Sequence, residues 1–170
     1  FWGTEFNNKT AMKADVMMAV GTRLSEADCS SWYFGETFDI PPTRLIHIDI
    51  NQEEIGRNYK TAIGAVCDAK MALDAILAAA KRLYPQGVKR PETVRKIAES
   101  KAAYFASIAE AQKSDQFPMR PERILADLRE VLPRDGYVVA DVGWNKNGVG
   151  QQFPIYEPGT FVAPGGLATM

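Results

Sequence analysis

The sequence predicts an α/β fold with a parallel sheet followed by the start of a second α/β unit. Short aliphatic runs at residues 14–20, 45–50 and 63–67 have the length and composition of strands buried on both faces of a parallel sheet. Amphipathic helical patterns follow them, and another strand pattern at 137–142 comes after two more helices. Strands separated by helices or long loops indicate a Rossmann-like layered domain and a second unit behind it.

The first predicted strand, residues 14–20, stops at Gly21-Thr22-Arg23. The carboxyl ends of parallel strands form the ligand-binding edge of open α/β sheets, so we expect this turn to lie on that edge. The next twenty residues are interrupted by glycine, proline and aromatic residues, which predicts an irregular loop without a long helix.

The second strand, residues 45–50, ends in a carboxylate at Asp49, followed by Ile50. Asn51 and Glu54 have the spacing of a capping pair and predict a short helix. Asp49 could accept a hydrogen bond from a ribose hydroxyl, as in dinucleotide-binding folds. Because no Gly-x-Gly-x-x-Gly turn is present, we favour the alternative that Asp49 is solvated or caps its own loop.

The third strand, residues 63–67, leads to Asp68, which we expect to cap a helix that stops at residues 85–87. Three strands are few for a complete domain, so we expect the front of this domain to be absent from the chain. The helix carries an apolar face with core spacing, formed by Ala72, Ala75, Ile76, Ala79 and Leu83.

The middle of the chain predicts two more helices. One begins at Pro91 and reaches Gln112, and another opens at Pro121 and ends before Pro133. We predict a central-domain segment at 1–85, a helical linker at 86–118 and the start of a second domain at 119–170. The expected core positions of the last helix are Ile124, Leu125, Leu128, Val131 and Leu132.

The strand pattern at 137–142 breaks at Gly143, and a second glycine turn follows at 165–166. A strand that stops at a glycine leaves backbone N–H groups unpaired at its carboxyl end, where open α/β sheets bind anionic cofactors. Glycine spacing alone also fits an ordinary turn, so it is weak evidence for a site.

Composition excludes several classes of protein. The net charge is −1, which gives no basic footprint for nucleic acid. Cys29 and Cys67 form no Cys-x-x-Cys pair and His47 is the single histidine, so we assign no metal and expect a reduced, cytoplasmic protein. No apolar run has the length of a membrane span, and residues 1–5 do not resemble a targeting signal.

Several stretches in the same order resemble the thiamine-diphosphate-dependent enzymes of the acetolactate synthase and pyruvate oxidase type. Residues 14–23 resemble the family segment A-D-L-L-L-A-L-G-A-R, and residues 47–56 resemble H-I-D-I-D-x-x-E-I-G. Residues 67–70 are similar to G-D-A-K, and residues 165–170 to G-G-L-G-T-M. The resemblance covers most of the chain and implies a piece of a larger enzyme: the later central domain and the start of the carboxyl-terminal cofactor domain.

The resemblance implies that thiamine diphosphate is bound by residues of the second unit. Met170 matches the bulky side chain over which the family bends this cofactor, with backbone carbonyls near Ala168 and Met170 receiving the pyrimidine amino group. Acetolactate synthases usually carry Gln-His where this chain has Trp144-Asn145, which leaves the phosphate contacts and the substrate open. The expected diphosphate contacts are Val142, Gly143, Trp144 and Asn145.

The resemblance places the activating glutamate in an amino-terminal domain outside this chain, and the Mg²⁺ ligands after Met170, so we assign no catalytic or metal-binding residue. It implies a 2-oxo acid substrate and a homodimer or homotetramer. The alternatives are a 2-oxo acid decarboxylase, a pyruvate oxidase-like enzyme, or a non-catalytic Rossmann-like module.

Family members also touch an adenine dinucleotide in the central domain, at positions that fall here on six residues. We expect FAD to bind weakly or not at all, because Leu24-Ser25-Glu26-Ala27 replaces the family's F-D-D-R and removes an arginine. Cys67 also stands where the family has a glycine. The candidate nucleotide contacts are Gly21, Thr22, Arg23, Asp49, Ile50 and Asp68.

Overall fold

A computed structural model of the chain describes residues 3–26 and 28–163. The chain divides between Pro91 and Glu92 into two compact units, each with its own hydrophobic cluster. The segmentation at residues 85 and 118 stays a prediction.

The first unit contains a sheet of three parallel strands in the order β1-β2-β3. The register places Val20 beside Ile48 and Asp49 beside Val66, so the three strands end at one edge. The α/β fold and these strands are confirmed. Their bounds are β1 Val16–Val20, β2 Arg44–Asp49 and β3 Thr61–Val66.

Among its described residues, the loop between β1 and β2 contains one short element, the three-residue 3₁₀ turn Ser30–Trp32, as the irregular sequence predicted. The short helix predicted after β2 is also a 3₁₀ turn, Gln52–Glu54. Asn51 caps it by accepting a hydrogen bond from the Glu53 N–H at 3.0 Å. Glu54 does not complete a reciprocal capping pair, because its carboxylate accepts from Arg57 at 3.2 Å.

Helix α1, Glu5–Met12, precedes the sheet and was not predicted, because its sequence has no apolar periodicity. Helix α2, Ala69–Leu83, begins where predicted, and Asp68 caps it by accepting from the Met71 N–H at 3.0 Å. Its apolar face is not a core face within the described residues. Ala72 and Ala79 are partly buried, whereas Ala75, Ile76 and Leu83 are exposed.

Leu45, the second residue of β2, is fully buried and lies in the hydrophobic cluster of the first unit. The cluster fills the space between the sheet and the long β1–β2 loop. It consists of Ala19, Leu24, Cys29, Ile40, Leu45 and Tyr59.

The second unit contains a two-stranded parallel sheet, with Val138 beside Phe161. Parallel strands need a crossover connection, and the helix at Trp144–Gln152, α5, provides it. Of the strand predicted at 137–142, only Val138 and Val139 form a strand, because the chain turns after Ala140. The element bounds are α3 Pro91–Gln112, α4 Pro121–Val131, β4 Val138–Val139, α5 Trp144–Gln152 and β5 Phe161–Val162.

Helix α3 has the predicted bounds, and α4 ends one residue before its predicted last core position. Leu125 of α4 is buried, and Leu128 and Leu132 pack against the same cluster. The predicted core positions Ile124 and Val131 are wrong for the described residues, because they are 48% and 77% exposed. The buried members of the cluster are Leu125, Val138, Ala140, Val149 and Phe153.

Candidate functional site

The turn at 141–143 redirects the chain from β4 into α5. Ala140 makes the last ladder bond, donating its N–H to the Val162 carbonyl at 3.0 Å. The Asp141 carboxylate then accepts from the Val142 N–H at 2.6 Å. Gly143 has φ 127° and ψ −164°, a conformation that side chains exclude. Glycine at 143 is therefore required for α5 to begin here.

The amino terminus of α5 opens directly at this turn. Its N-cap residue is Gly143, which has no side chain to cap the first turn. The free N–H groups and the positive end of the helix dipole suit an anion. The Asn145 side chain bends back toward the turn, with its Oδ1 3.1 Å from the place that a Cβ on Gly143 would occupy. Three predicted contacts, Val142, Gly143 and Asn145, are thus brought together.

Trp144, the fourth predicted contact, has its ring on the flank of α5. Two carbons of its six-membered ring lie 2.6 Å from the place of a Cβ on Gly148, one helical turn further on. The indole is 49% exposed, and Gly148 beneath it is buried. Gly148 was not predicted from the sequence, although the four-residue spacing of tryptophan and glycine is a visible signal.

The remaining predicted thiamine diphosphate contacts, Ala168 and Met170, lie outside the described residues. Their assignment stays an expectation from the resemblance.

The candidate nucleotide contacts of the first unit lie along the carboxyl edge of its sheet. The Gly21 N–H donates to the Ile48 carbonyl at 2.9 Å, and the Cys67 N–H donates to the Asp49 carbonyl at 3.1 Å. Ile50, just beyond, is 75% exposed. The fold therefore brings Gly21, Asp49 and Asp68 to neighbouring strand ends, while their binding role stays a prediction.

Both carboxylates at this edge bind their own loops. Asp49 accepts from the Asn51 N–H at 2.9 Å, which is the alternative favoured from the sequence. Asp68 is occupied as the α2 cap. A ribose hydroxyl would have to compete with these local bonds.

The Thr22 carbonyl accepts a hydrogen bond from the Nε2 of buried His47 at 2.9 Å. This bond ties the turn after β1 to the neighbouring strand and gives His47 a structural role. Arg23, the next residue, is exposed, and within residues 3–26 and 28–163 its guanidinium has no ion pair.

A cleft of about 270 Å³ opens beside Arg23. Its charges are mixed, since two arginines are matched by two glutamates, and Arg57 already pairs with Glu54. A balanced lining of this kind gives no preference for a highly charged anion. The cleft is lined by Arg23, Ser25, Glu26, Trp32, Glu54, Arg57 and Asn58.

Two ionisable groups are perturbed in the core of the first unit. Burial raises the pKa of the Cys29 thiol, which is 1% exposed. Burial, with the neighbouring Cys29, also raises the pKa of Tyr59. Both groups stay protonated at neutral pH and belong to the hydrophobic cluster rather than to an exposed site.

Among the described residues, no group of three or more histidine, cysteine, aspartate or glutamate side chains could hold a metal ion. In the same residues no helix is both long and apolar enough to cross a bilayer.

Residues 1–76 match the family described as thiamine pyrophosphate enzyme, central domain. A probable acetolactate synthase large subunit from Methanocaldococcus jannaschii is 35% identical over 99% of this chain and 28% of its own length. The first 76 residues therefore belong to the thiamine pyrophosphate enzyme family, as its central domain, and the similarity to this relative extends over 99% of the chain. The predicted family resemblance is thereby confirmed, across both units of the chain.

Other relatives of the chain carry different names. A probable sulfoacetaldehyde acetyltransferase from Rhizobium meliloti is 27% identical over 90% of the chain and 28% of its own length. Glyoxylate carboligase from Escherichia coli O157:H7 is 23% identical over 89% of the chain and 25% of its own length. The chain thus spans little more than a quarter of the relatives it matches.

Proposed function

We propose that the protein containing this chain is a thiamine-diphosphate-dependent enzyme that decarboxylates a 2-oxo acid and transfers the acyl unit, like an acetolactate synthase. The observation that carries this proposal is the uncapped amino terminus of α5, which opens at Gly143 in a member of the thiamine pyrophosphate enzyme family. Anions bind at such helix ends without any basic side chain. The diphosphate of the cofactor is the anion that this family provides.

The residues of the turn fit a diphosphate in three ways. Gly143 lets the backbone approach a ligand without a Cβ in between. The backbone N–H groups of Trp144 and Asn145 belong to the uncapped first turn and can donate to phosphate oxygens. The exposed Asn145 side chain, directed to the same turn, can add a donor through its amide nitrogen.

When bound, thiamine diphosphate supplies a nucleophilic thiazolium carbon and an electron sink for the carbon dioxide-releasing step. We propose that Met170 supports the bent shape of this cofactor and that the carbonyls near Ala168 and Met170 accept from its pyrimidine amino group. An unbranched thioether can fill the angle between two rings. Mg²⁺ and the activating glutamate would be held by residues outside this chain.

We further propose a cytoplasmic homodimer or homotetramer that acts on a small 2-oxo acid. The acceptor of the acyl unit stays open, since the relatives include an acetolactate synthase, an acetyltransferase and a carboligase by name. A 2-oxo acid decarboxylase, a pyruvate oxidase-like enzyme or a non-catalytic Rossmann-like module is the alternative.

The test is calorimetric titration of the full-length protein with thiamine diphosphate and Mg²⁺, followed by assay of carbon dioxide release from 2-oxo acids. Asn145→Ala should weaken cofactor binding about tenfold, the effect of losing one hydrogen bond to a charged group. Asn147→Ala, on the same helix beyond the first turn, is the matched control and should bind like the parent. Full-length protein that binds no thiamine diphosphate would exclude the enzymatic proposal in favour of a structural module.

A further inference from the structure

We infer that Gly148 is a positioning residue that seats the Trp144 indole along the flank of α5 and so keeps the first-turn N–H groups open to the cofactor. The inference rests on the proposed function, because it concerns access to the same helix terminus. It adds a residue that lies outside the predicted diphosphate turn and touches no cofactor.

The contact between Trp144 and Gly148 leaves no room for a side chain at position 148. Three ring carbons, Cη2, Cζ3 and Cε3, lie 2.6, 2.6 and 3.1 Å from the place of an added Cβ. Contacts below 3.0 Å require the half-exposed indole to move as a whole about its side-chain torsions, because the ring itself is rigid. The Trp144 indole therefore packs directly against the backbone of Gly148.

No other feature of the helix explains a glycine at 148. Its φ does not fall in the left-handed region that favours glycine. Glycine in a helix interior is less favourable than alanine. The residue is buried, and the atoms nearest to its missing Cβ all belong to Trp144. Among the described residues, the contacts around position 148 therefore indicate that its glycine makes room for the indole.

The direction of the indole matters because Trp144 is the first residue of α5. Long side chains in helices usually point back toward the amino terminus. An indole that pointed that way would lie over Gly143 and the Asn145 side chain, where the first-turn N–H groups open. In the structure the ring instead contacts the residue one turn further on. Gly148 thus separates the largest side chain of this segment from the anion-binding end of the helix.

A Cβ at position 148 should displace the indole toward the turn and weaken cofactor binding. The experiment measures the Kd of full-length protein for thiamine diphosphate with Mg²⁺ in four variants: Gly148→Ala, Trp144→Ala, the double variant, and Gly150→Ala. Gly150 is a matched control, because it lies on the same helix and a Cβ there meets nothing within 4 Å. Far-UV circular dichroism confirms that each variant is folded.

Gly148→Ala should raise the Kd about tenfold, as for one lost backbone bond to phosphate, and Gly150→Ala should leave it unchanged. The double variant should bind like Trp144→Ala alone, because the added methyl group has no ring left to displace. That rescue is the result a merely structural role of Gly148 would not give. A double variant as weak as Gly148→Ala, or an equal loss in Gly150→Ala, would overturn the inference.

A second readout needs no cofactor. In protein labelled with 5-fluorotryptophan, the ¹⁹F resonance lost in Trp144→Phe belongs to Trp144. Gly148→Ala should move this resonance and Gly150→Ala should not; an unmoved resonance in Gly148→Ala would show that the indole has another seat. If the parent binds no thiamine diphosphate while the resonance moves as expected, the proposed function fails together with the role in access, and the seat alone stands.

Discussion

The Arg129 guanidinium lies 4.8 Å above the centre of the Phe153 ring. The same group donates hydrogen bonds to the Pro133 carbonyl at 2.7 Å and to the Pro154 carbonyl at 3.3 Å. One side chain near the end of α4 thus fixes both the turn into β4 and the segment that follows α5. These are the two ends of the backbone that carries the candidate cofactor turn.

Arg129→Ala should destabilise the second unit by about 2 kcal/mol, because it leaves carbonyl groups without a charged donor and removes a cation–π contact. For a domain of this size the apparent Tm of the unit should fall by about 8–16 °C. Thermal unfolding of the full-length protein measures it. Arg134→Ala is the control, since Arg134 is exposed and stacks on Tyr156 at 4.1 Å. An equal loss in both variants would contradict a special role for Arg129.

Stability should fall at alkaline pH because of the buried Cys29 thiol. Its pKa is raised above the ordinary value of 9.0 by burial, so the unfolded chain loses this proton first as the pH rises. The contribution is complete below the unfolded pKa and is lost as the pH rises toward the folded one. The slope from this group is at most about 1.4 kcal/mol per pH unit.

Urea unfolding midpoints, measured from about pH 8 to about pH 10, test this pH dependence. Cys29→Ala should flatten the alkaline decline, whereas Cys67→Ala, at a half-buried cysteine outside the hydrophobic cluster, should leave the slope as in the parent. Identical slopes in all three proteins would show that the Cys29 thiol is not responsible.

Full-length protein should bind FAD weakly or not at all. The two carboxylates at the carboxyl edge of the first sheet, Asp49 and Asp68, already accept bonds from their own loops. Cys67, which directly precedes Asp68, is half-buried. Its side chain lies at a strand end where a nucleotide would approach. The visible absorption spectrum of the purified protein, with and without added FAD, measures binding. Cys67→Gly should bind more FAD than the parent, and a stoichiometric flavin band in the parent would refute the prediction.

The isolated 170-residue chain should show no turnover of pyruvate or another 2-oxo acid, even with excess thiamine diphosphate and Mg²⁺. The described residues contain no cluster for a metal ion, and the resemblance places the activating glutamate elsewhere. Carbon dioxide release by the purified chain, compared with the full-length protein under the same conditions, is the measurement. Steady release above the cofactor-only background would show that the chain holds a complete active site.

Elements with strong local signals were predictable from the sequence. The strands of the first sheet are aliphatic runs. Asp68 caps α2 and Pro91 is the first residue of α3, and each of these residues acts on the first turn of its own helix. Helix α5 lacks such signals, since Gly148 and Gly150 lower its helix propensity. Strand β5 is two residues long and exists through its pairing with β4. Tertiary contacts decide both of these elements.

The candidate site was predictable only in part for the same reason. The break at Gly143 is visible in the sequence, because a strand pattern stops there. The opposite directions of the Trp144 and Asn145 side chains depend on the packing of α5 and are not encoded in a motif. Ile124 and Val131 are exposed although the apolar periodicity of α4 predicted them as core positions. The apolar face of this helix is wider than the part of it that other described residues cover.

The parallel pairing of β4 with β5 also sets the order in which this region can form. Val138 finds its partner, Phe161, only after the whole crossover has been synthesised and closed. Loop closure costs entropy before the pairing returns any stability, so non-local contacts of this kind form slowly. We expect the turn at 141–143 to stay unstructured on a growing chain until β5 has left the ribosome, so that the proposed binding of thiamine diphosphate would be a late event in biosynthesis.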